Sequence, residues 1–224
     1  MEPVQVAYRT READPGTTLS LMVLADWPEG FAAVDVSSGA LVRGNYPRHP
    51  EAPEQAAKPF DVVRVVIAED PDGPDPTQPE AVAFLAPPER LGGMRRRRAR
   101  RLLDPLLLPA GEVPMGFPGS AAQYWTIPGD RPSLAVLVSE RPPTVVTRAD
   151  GDVACRFGWG GVELELGVDD RRLRHAMVAG DWSRLAGGTL RQVLGYEPAL
   201  VVLALSAPRA GRCYKVVAGL LPQP

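Results

Sequence analysis

The densest concentration of chemistry-bearing side chains is the segment GGMRRRRARRLLDP, where Arg95, Arg96, Arg97, Arg98, Arg100 and Arg101 fall within the eight residues 95–102. Guanidinium groups are planar, permanently charged and matched to phosphate or carboxylate oxygens two at a time, so their chemistry is anion recognition. Gly93 can open a helix, and Pro105 disfavours helical geometry at Asp104, which leaves about eleven residues, or ~16 Å, of helix. Four consecutive residues at ~100° per step point to every side of a helix. The spacing therefore predicts that Arg95, Arg96, Arg97 and Arg98 cannot all lie on one solvent face while another face packs, with Met94 and Leu102 on the side that Arg98 interrupts. Arg96 with Arg100, and Arg97 with Arg101, repel at i,i+4 for a few tenths of a kcal/mol each, and nearby only Asp104 offers an opposite charge within the helix. Such an element gains from an anionic partner. The partner is either nucleic-acid phosphate or the protein's own acidic loop, Asp70, Asp72 and Asp75.

Single-stranded nucleic acid also asks for aromatic rings on which bases stack. Trp27, Tyr124, Trp125, Trp159 and Trp182 are the candidates. Trp159 continues the inward alternation of its strand and reads as core. Tyr124 and Trp125 are consecutive, so in a strand one of them faces outward, and that ring is the preferred stacking site.

Other chemistries find less support. His49 and His175 stand alone, and neither they nor the two cysteines have a second soft ligand at close spacing, so no metal is expected. There is no Gly-x-Ser-x-Gly elbow and no phosphate-binding P-loop, so no catalytic residue and no cofactor is assigned. Asp169 and Asp170 read as a helix N-terminus, and Glu163 and Glu165 as the wet face of a hairpin. Lys215, one of two lysines, reads as a strand residue facing solvent.

The chain has 224 residues, enough to bury about 70% of its unfolded surface without a staple. The formal charge is −2, so the chain as a whole is not a basic nucleic-acid binder, and the arginine cluster leaves the remainder acidic. Cys155 and Cys213 lie in apolar stretches, and the first apolar run, 19–25, lacks a basic segment before it. Both features fit small core thiols in a reducing cytoplasm. No apolar run reaches the ~20 residues of a membrane span.

The elements that must position these residues are mostly strands. Apolar runs at 19–25, 31–36, 40–43, 60–68 and 81–85 are separated by Pro, Gly and Asp, the spacing of a β-rich fold. Proline-rich stretches after residue 42, at 71–79 and at 105–118 read as loops. In the second half, Cys155, Phe157 and Trp159 alternate with polar or small residues. After Gly160-Gly161 the pattern resumes as Val162, Leu164, Leu166 and Val168, which predicts a hairpin with a Gly-Gly turn. Asp169 or Asp170 caps a short helix to about Ala179, and Leu190 with Leu194 suggests another helical turn. The runs 200–205 and 213–221 are apolar throughout, as in strands covered on both faces or packed where two halves meet.

The blocks SLAVLV, GDVACRFGWGGVELELGVDD and LALSAPRAGRCYKVVAGLL resemble the second half of a bacterial family of dual OB-domain proteins. PFDVVRVVIAED with PTQPEAVAF is similar to the stretch where that family closes its first barrel. The resemblance covers about half of the chain and implies an oligonucleotide or protein ligand, with no catalytic residues to carry over. The expected architecture is therefore mainly β, a β-rich α+β chain with two OB-like small barrels. They span 1–88 and 123–224, joined by an arginine-rich helix and a Pro/Gly-rich linker over 89–122. The expected function is non-catalytic binding, of DNA or RNA through Arg95, Arg96, Arg97, Arg98, Arg100, Arg101, Tyr124 and Trp125, or alternatively of a partner protein.

Overall fold

A computed structural model describes residues 14–46, 57–69 and 75–224. The molecule is mainly β, with two sheets. The first half holds β1 (Thr18–Trp27), β2 (Gly30–Asp35), β3 (Leu41–Asn45), β4 (Asp61–Val66), β5 (Ala81–Ala83) and β6 (Glu89–Gly93). After α1 (Arg96–Leu103) come β7 (Ala121–Gln123), β8 (Leu134–Val138), β9 (Thr144–Thr147), β10 (Val153–Trp159) and β11 (Val162–Val168). The chain closes with α2 (Arg171–Ala179), β12 (Arg184–Ala186), α3 (Gly187–Leu194), β13 (Pro198–Leu205) and β14 (Arg212–Pro222).

The first sheet runs in the order β5-β3-β2-β1-β4-β6, antiparallel except where β5 lies parallel to β3. Just past the ends of β4 and β5, Ile67 bridges Phe84, the Ala68 amide donates to the Ala83 carbonyl, and the Leu85 amide donates to that of Val66. The second sheet runs β12-β9-β10-β11-β14-β13-β8, with β14 parallel to β11 and β7 paired to the start of β14. Beyond β8, the Ser139 amide donates to the Ala199 carbonyl and the Glu140 amide to the Gly158 carbonyl, so the segment leading into β9 stays against both β13 and β10.

Several sequence expectations agree with this arrangement. β10 and β11 form the hairpin, and Gly160 and Gly161 take the positive φ angles (59° and 76°) that a two-residue turn requires. Asp170 caps α2, accepting hydrogen bonds from the amides of Arg172 and Leu173. Cys155 and Cys213 are free and buried, and burial pushes the Cys155 thiol up to about 12. No helix among the described residues is long and apolar enough to cross a membrane.

The expected boundary at residue 88 does not fit. β6, inside the stretch expected to be a linker, is the edge strand of the first sheet, pairing with β4. Arg90 fastens it there, donating from Nε and Nη2 to both oxygens of Asp61 at 2.9 Å. Nor do the halves keep separate cores. Phe31 and Ala33 of β2 face the first half's own core, whereas Ala32 and Val34 face a layer shared with Leu134 and Val136 of β8 and Val202 of β13. β2 is buried on both sides for this reason. Gly219 of β14 marks a close approach of the two halves, since a Cβ there would lie 2.7 Å from the Ala25 Cβ of β1.

A polar cluster lies within this junction. Arg43 of β3 donates from Nη1 to the Leu205 carbonyl at 2.8 Å and to Ser133 Oγ at 3.3 Å, with its guanidinium 5.2 Å from the centre of the Trp27 ring. Ser133 Oγ donates to Glu80 Oε1 at 2.6 Å. Burial holds the Glu80 carboxyl above its ordinary range and the Arg43 guanidinium below its own. Arg43 and Glu80 belong to the first half, and Ser133 and Leu205 to the second.

Lys215 corrects another expectation. It is 5% exposed, its Nζ donates to the Phe117 carbonyl, and it sits 4.2 Å from the Phe117 ring centre. Burial pulls its ammonium down to about 8. The folded chain thus releases this proton at about 8 and the unfolded chain at about 10.4, so between those values the unfolded state holds more protons. Lys215 therefore makes stability rise with pH across that window. Wild type is expected to gain about 2 kcal/mol relative to Lys215→Met as pH goes from 7 to 10.5, measured by urea denaturation. A constant difference would contradict the buried ammonium.

Candidate nucleic-acid interface

α1 is shorter than its sequence suggests. It begins at Arg96 with Arg95 as an extended N-cap (φ −66°, ψ 136°), and Pro105 enters a separate 3₁₀ turn over Asp104–Leu106. Gly93 belongs to β6. Two residues of the helix, Ala99 and Leu103, are buried, joined by Leu106 from the turn, and all three pack into the layer shared by the halves. Met94 and Leu102 are half-buried against it.

The sequence set Arg95, Arg96, Arg97 and Arg98 against lying on one solvent face while another face packs, and the contact is narrow enough that they are exposed on more than one side of it. Arg95, Arg96, Arg97, Arg98, Arg100 and Arg101 are all exposed. Arg95 escapes the helical constraint as the cap, and the packed stripe is only as wide as Ala99 and Leu103 at i and i+4. Arg98 flanks this stripe without entering it.

Among the described residues, one of the six makes an ion pair: Arg100 Nε donates to Asp104 Oδ2 at 3.3 Å. That pair is exposed on both sides and contributes about 0.5 kcal/mol or less. Asp75, one of the expected internal counterions, accepts instead from the Thr77 amide and hydroxyl and from the Tyr124 hydroxyl. Asp70 and Asp72 lie outside the described residues. The helix start sharpens the imbalance: there is no acidic residue in the first turn and no side-chain cap, so the positive end of the helix dipole coincides with the cationic side chains. A groove of about 430 Å³ runs along this surface, lined by Arg95, Arg97, Arg98, Arg101 and Leu102. An anion there would meet guanidinium groups and the helix terminus together.

The aromatic candidates lie elsewhere. Tyr124 and Trp125 sit in a 3₁₀ turn rather than a strand, so strand alternation does not decide which ring is exposed. Tyr124 is half-buried, and its hydroxyl is held by Asp75. Trp125 is 71% exposed, and its ring lies against Gly211 in the turn between β13 and β14. No hydrogen bond, cation–π contact or groove lining joins either ring to the arginines of α1. Trp159 is core, as its alternation predicts.

The outer face of the β10–β11 hairpin carries mixed charge. Glu165 accepts from Arg148 at 2.8 Å and from Arg156 at 2.7 Å, and these bonds hold its carboxyl below the ordinary range. Sequence reasoning missed the junction of Arg43, Glu80 and Ser133, whose one visible signal was an arginine within the apolar run LVRGN. It also passed over Arg209, Arg212 and Tyr214, which lie exposed beside Trp125 at the β13–β14 turn. No family model, curated protein or solved structure matches the chain.

Proposed function

We propose that this chain is a non-catalytic binding protein that holds nucleic acid by its phosphates in the groove of α1. The observation that carries the reading is the groove itself. Four exposed arginines, Arg95, Arg97, Arg98 and Arg101, line it together with Leu102 and have no ion-pair partner among the described residues.

We read each half as an OB-like barrel. The first sheet is open, in the order β5-β3-β2-β1-β4-β6, and what supports the reading there is the isolated Ile67 to Phe84 bridge, which links the ends of β4 and β5. In the second half β8 and β9 act as one bent first strand, followed by β10, β11, β14 and β13, with α2 and α3 inserted before β13. Ligands of this fold use the face of the second and third strands. In the first half those strands, β2 and β3, are buried in the shared core, and in the second half the face carries the ion-paired Arg148, Glu165 and Arg156. Neither of these faces offers free positive charge, so the reading puts duplex phosphate contact on α1 rather than on them. Recognition of this kind follows the backbone and is independent of base sequence.

Electrophoretic shift at ~50 mM salt with unrelated duplexes of equal length is the test. Equal binding of all of them is the expected result. Absence of binding, or preference for one sequence by an order of magnitude, would overturn the reading.

A further inference from the structure

The turn between β13 and β14 carries a second surface, separate from α1. β7 pairs with the start of β14 so that Gln123 lies opposite Arg212 and Ala121 opposite Tyr214. Opposed residues of an antiparallel pair share one face, and residues two apart on a strand do so as well. Arg212 and Tyr214 therefore project on the same side, about 6.8 Å apart along the strand, while Cys213 between them points into the core. Trp125 lies two residues past β7, with the edge of its ring near Gly211, the residue before Arg212. Arg209 sits in the same turn and is exposed.

The result is an exposed indole, an exposed phenol at 39% and two cationic side chains on one edge of the second half. Arg212 has no side-chain hydrogen bond or ion pair among the described residues, and Trp125 stays largely exposed although the Cζ3–Cη2 edge of its ring lies near Gly211. Large rings left in water beside the exposed guanidinium groups of Arg212 and Arg209, the latter near the Asp169 charge, match a ligand that alternates flat, apolar faces with negative charge. Single-stranded nucleic acid has that chemistry, its bases stacking on the rings and its phosphates meeting the arginines. An acidic peptide would satisfy the arginines alone.

We infer that Trp125, Tyr214, Arg212 and Arg209 form a stacking site for single-stranded nucleic acid. It shares a ligand class with the α1 reading and none of its residues. The experiment measures binding of the intact chain to oligothymidylate, to an abasic strand of equal length and to polyglutamate, with tryptophan emission as the signal. Oligothymidylate is expected to bind at least about tenfold more tightly than the abasic strand, and Trp125→Ala or Tyr214→Ala to remove that preference. Both side chains are exposed, so neither change disturbs the core. With Arg95, Arg97, Arg98 and Arg101 all changed to Gln, the preference is expected to persist even if overall affinity falls, which separates this site from α1. Equal binding of the thymidylate and abasic strands, an unaltered preference in both aromatic variants, or polyglutamate binding as tightly as oligothymidylate would each overturn the inference.

Discussion

Arg43→Ala is expected to cost the folded chain about 3–5 kcal/mol, lowering the urea midpoint of a single transition common to both halves. The size follows from where the guanidinium lies. It joins a strand of the first half to the Leu205 carbonyl and Ser133 hydroxyl of the second, under the Trp27 ring, with almost no access to water. Truncation leaves the Leu205 carbonyl without this donor and Glu80 without its neighbouring positive charge, in a layer too well packed to admit solvent freely. The companion change Glu80→Gln removes the stranded carboxyl, so the double variant is expected to lose less than the sum of the two single changes. A loss below ~1 kcal/mol for Arg43→Ala, or two separate unfolding transitions, would contradict a junction that makes the halves one unit.

Changing Arg95, Arg97, Arg98 and Arg101 together to Gln is expected to remove the greater part of duplex affinity at low salt. Four phosphate contacts give a salt slope near −3.6, which over the twentyfold range between 1 M and 50 mM amounts to four to five orders of magnitude in the binding constant. Stability should move in the opposite direction. Relieving the repulsion between Arg97 and Arg101, and easing the conflict of cations with the helix N-terminus, should stabilise α1 by about 0.5–1 kcal/mol in total. Arg90→Gln is the informative contrast: that arginine is engaged with Asp61 at both oxygens, so its loss should weaken the β6 edge and leave duplex affinity unchanged. Lower stability and unchanged affinity in the fourfold variant would point to internal neutralisation instead.

What the sequence made legible was whatever rests on local periodicity. The β10–β11 hairpin shows itself through strict alternation and a Gly-Gly turn, and α2 through the capping carboxylate of Asp170 with Leu173 and Met177 four apart. Less legible were features decided by distant contacts. β6 reads ERLGG, with no β-branched residue, and is a strand because β4 offers it a free edge and Asp61 binds Arg90. Lys215 lies in step with Cys213 and Val217, so alternation turns it inward and only its charge argued for solvent; Phe117, nearly a hundred residues earlier, gives its ammonium a carbonyl and a ring. The two-sided burial of β13, including packing where the two halves meet, was among the readings its continuous hydrophobicity offered, whereas that of β2 was not read.

The arginine cluster shows the same division. Its charge and its end at Pro105 were readable, while its exposure on all six side chains depends on a helix that begins one residue after Arg95 and packs only through Ala99 and Leu103. The geometry is a thin apolar seam anchoring a cationic surface to the junction of the two halves. Nothing among the described residues neutralises that surface beyond Asp104.

The most direct test of phosphate recognition by α1 is the affinity of the full chain for a random-sequence duplex measured across a salt series from 50 to 300 mM. A linear fall of log affinity against log salt with a slope near −3.6 is the predicted result. A slope near zero, or no measurable binding at 50 mM, would contradict it.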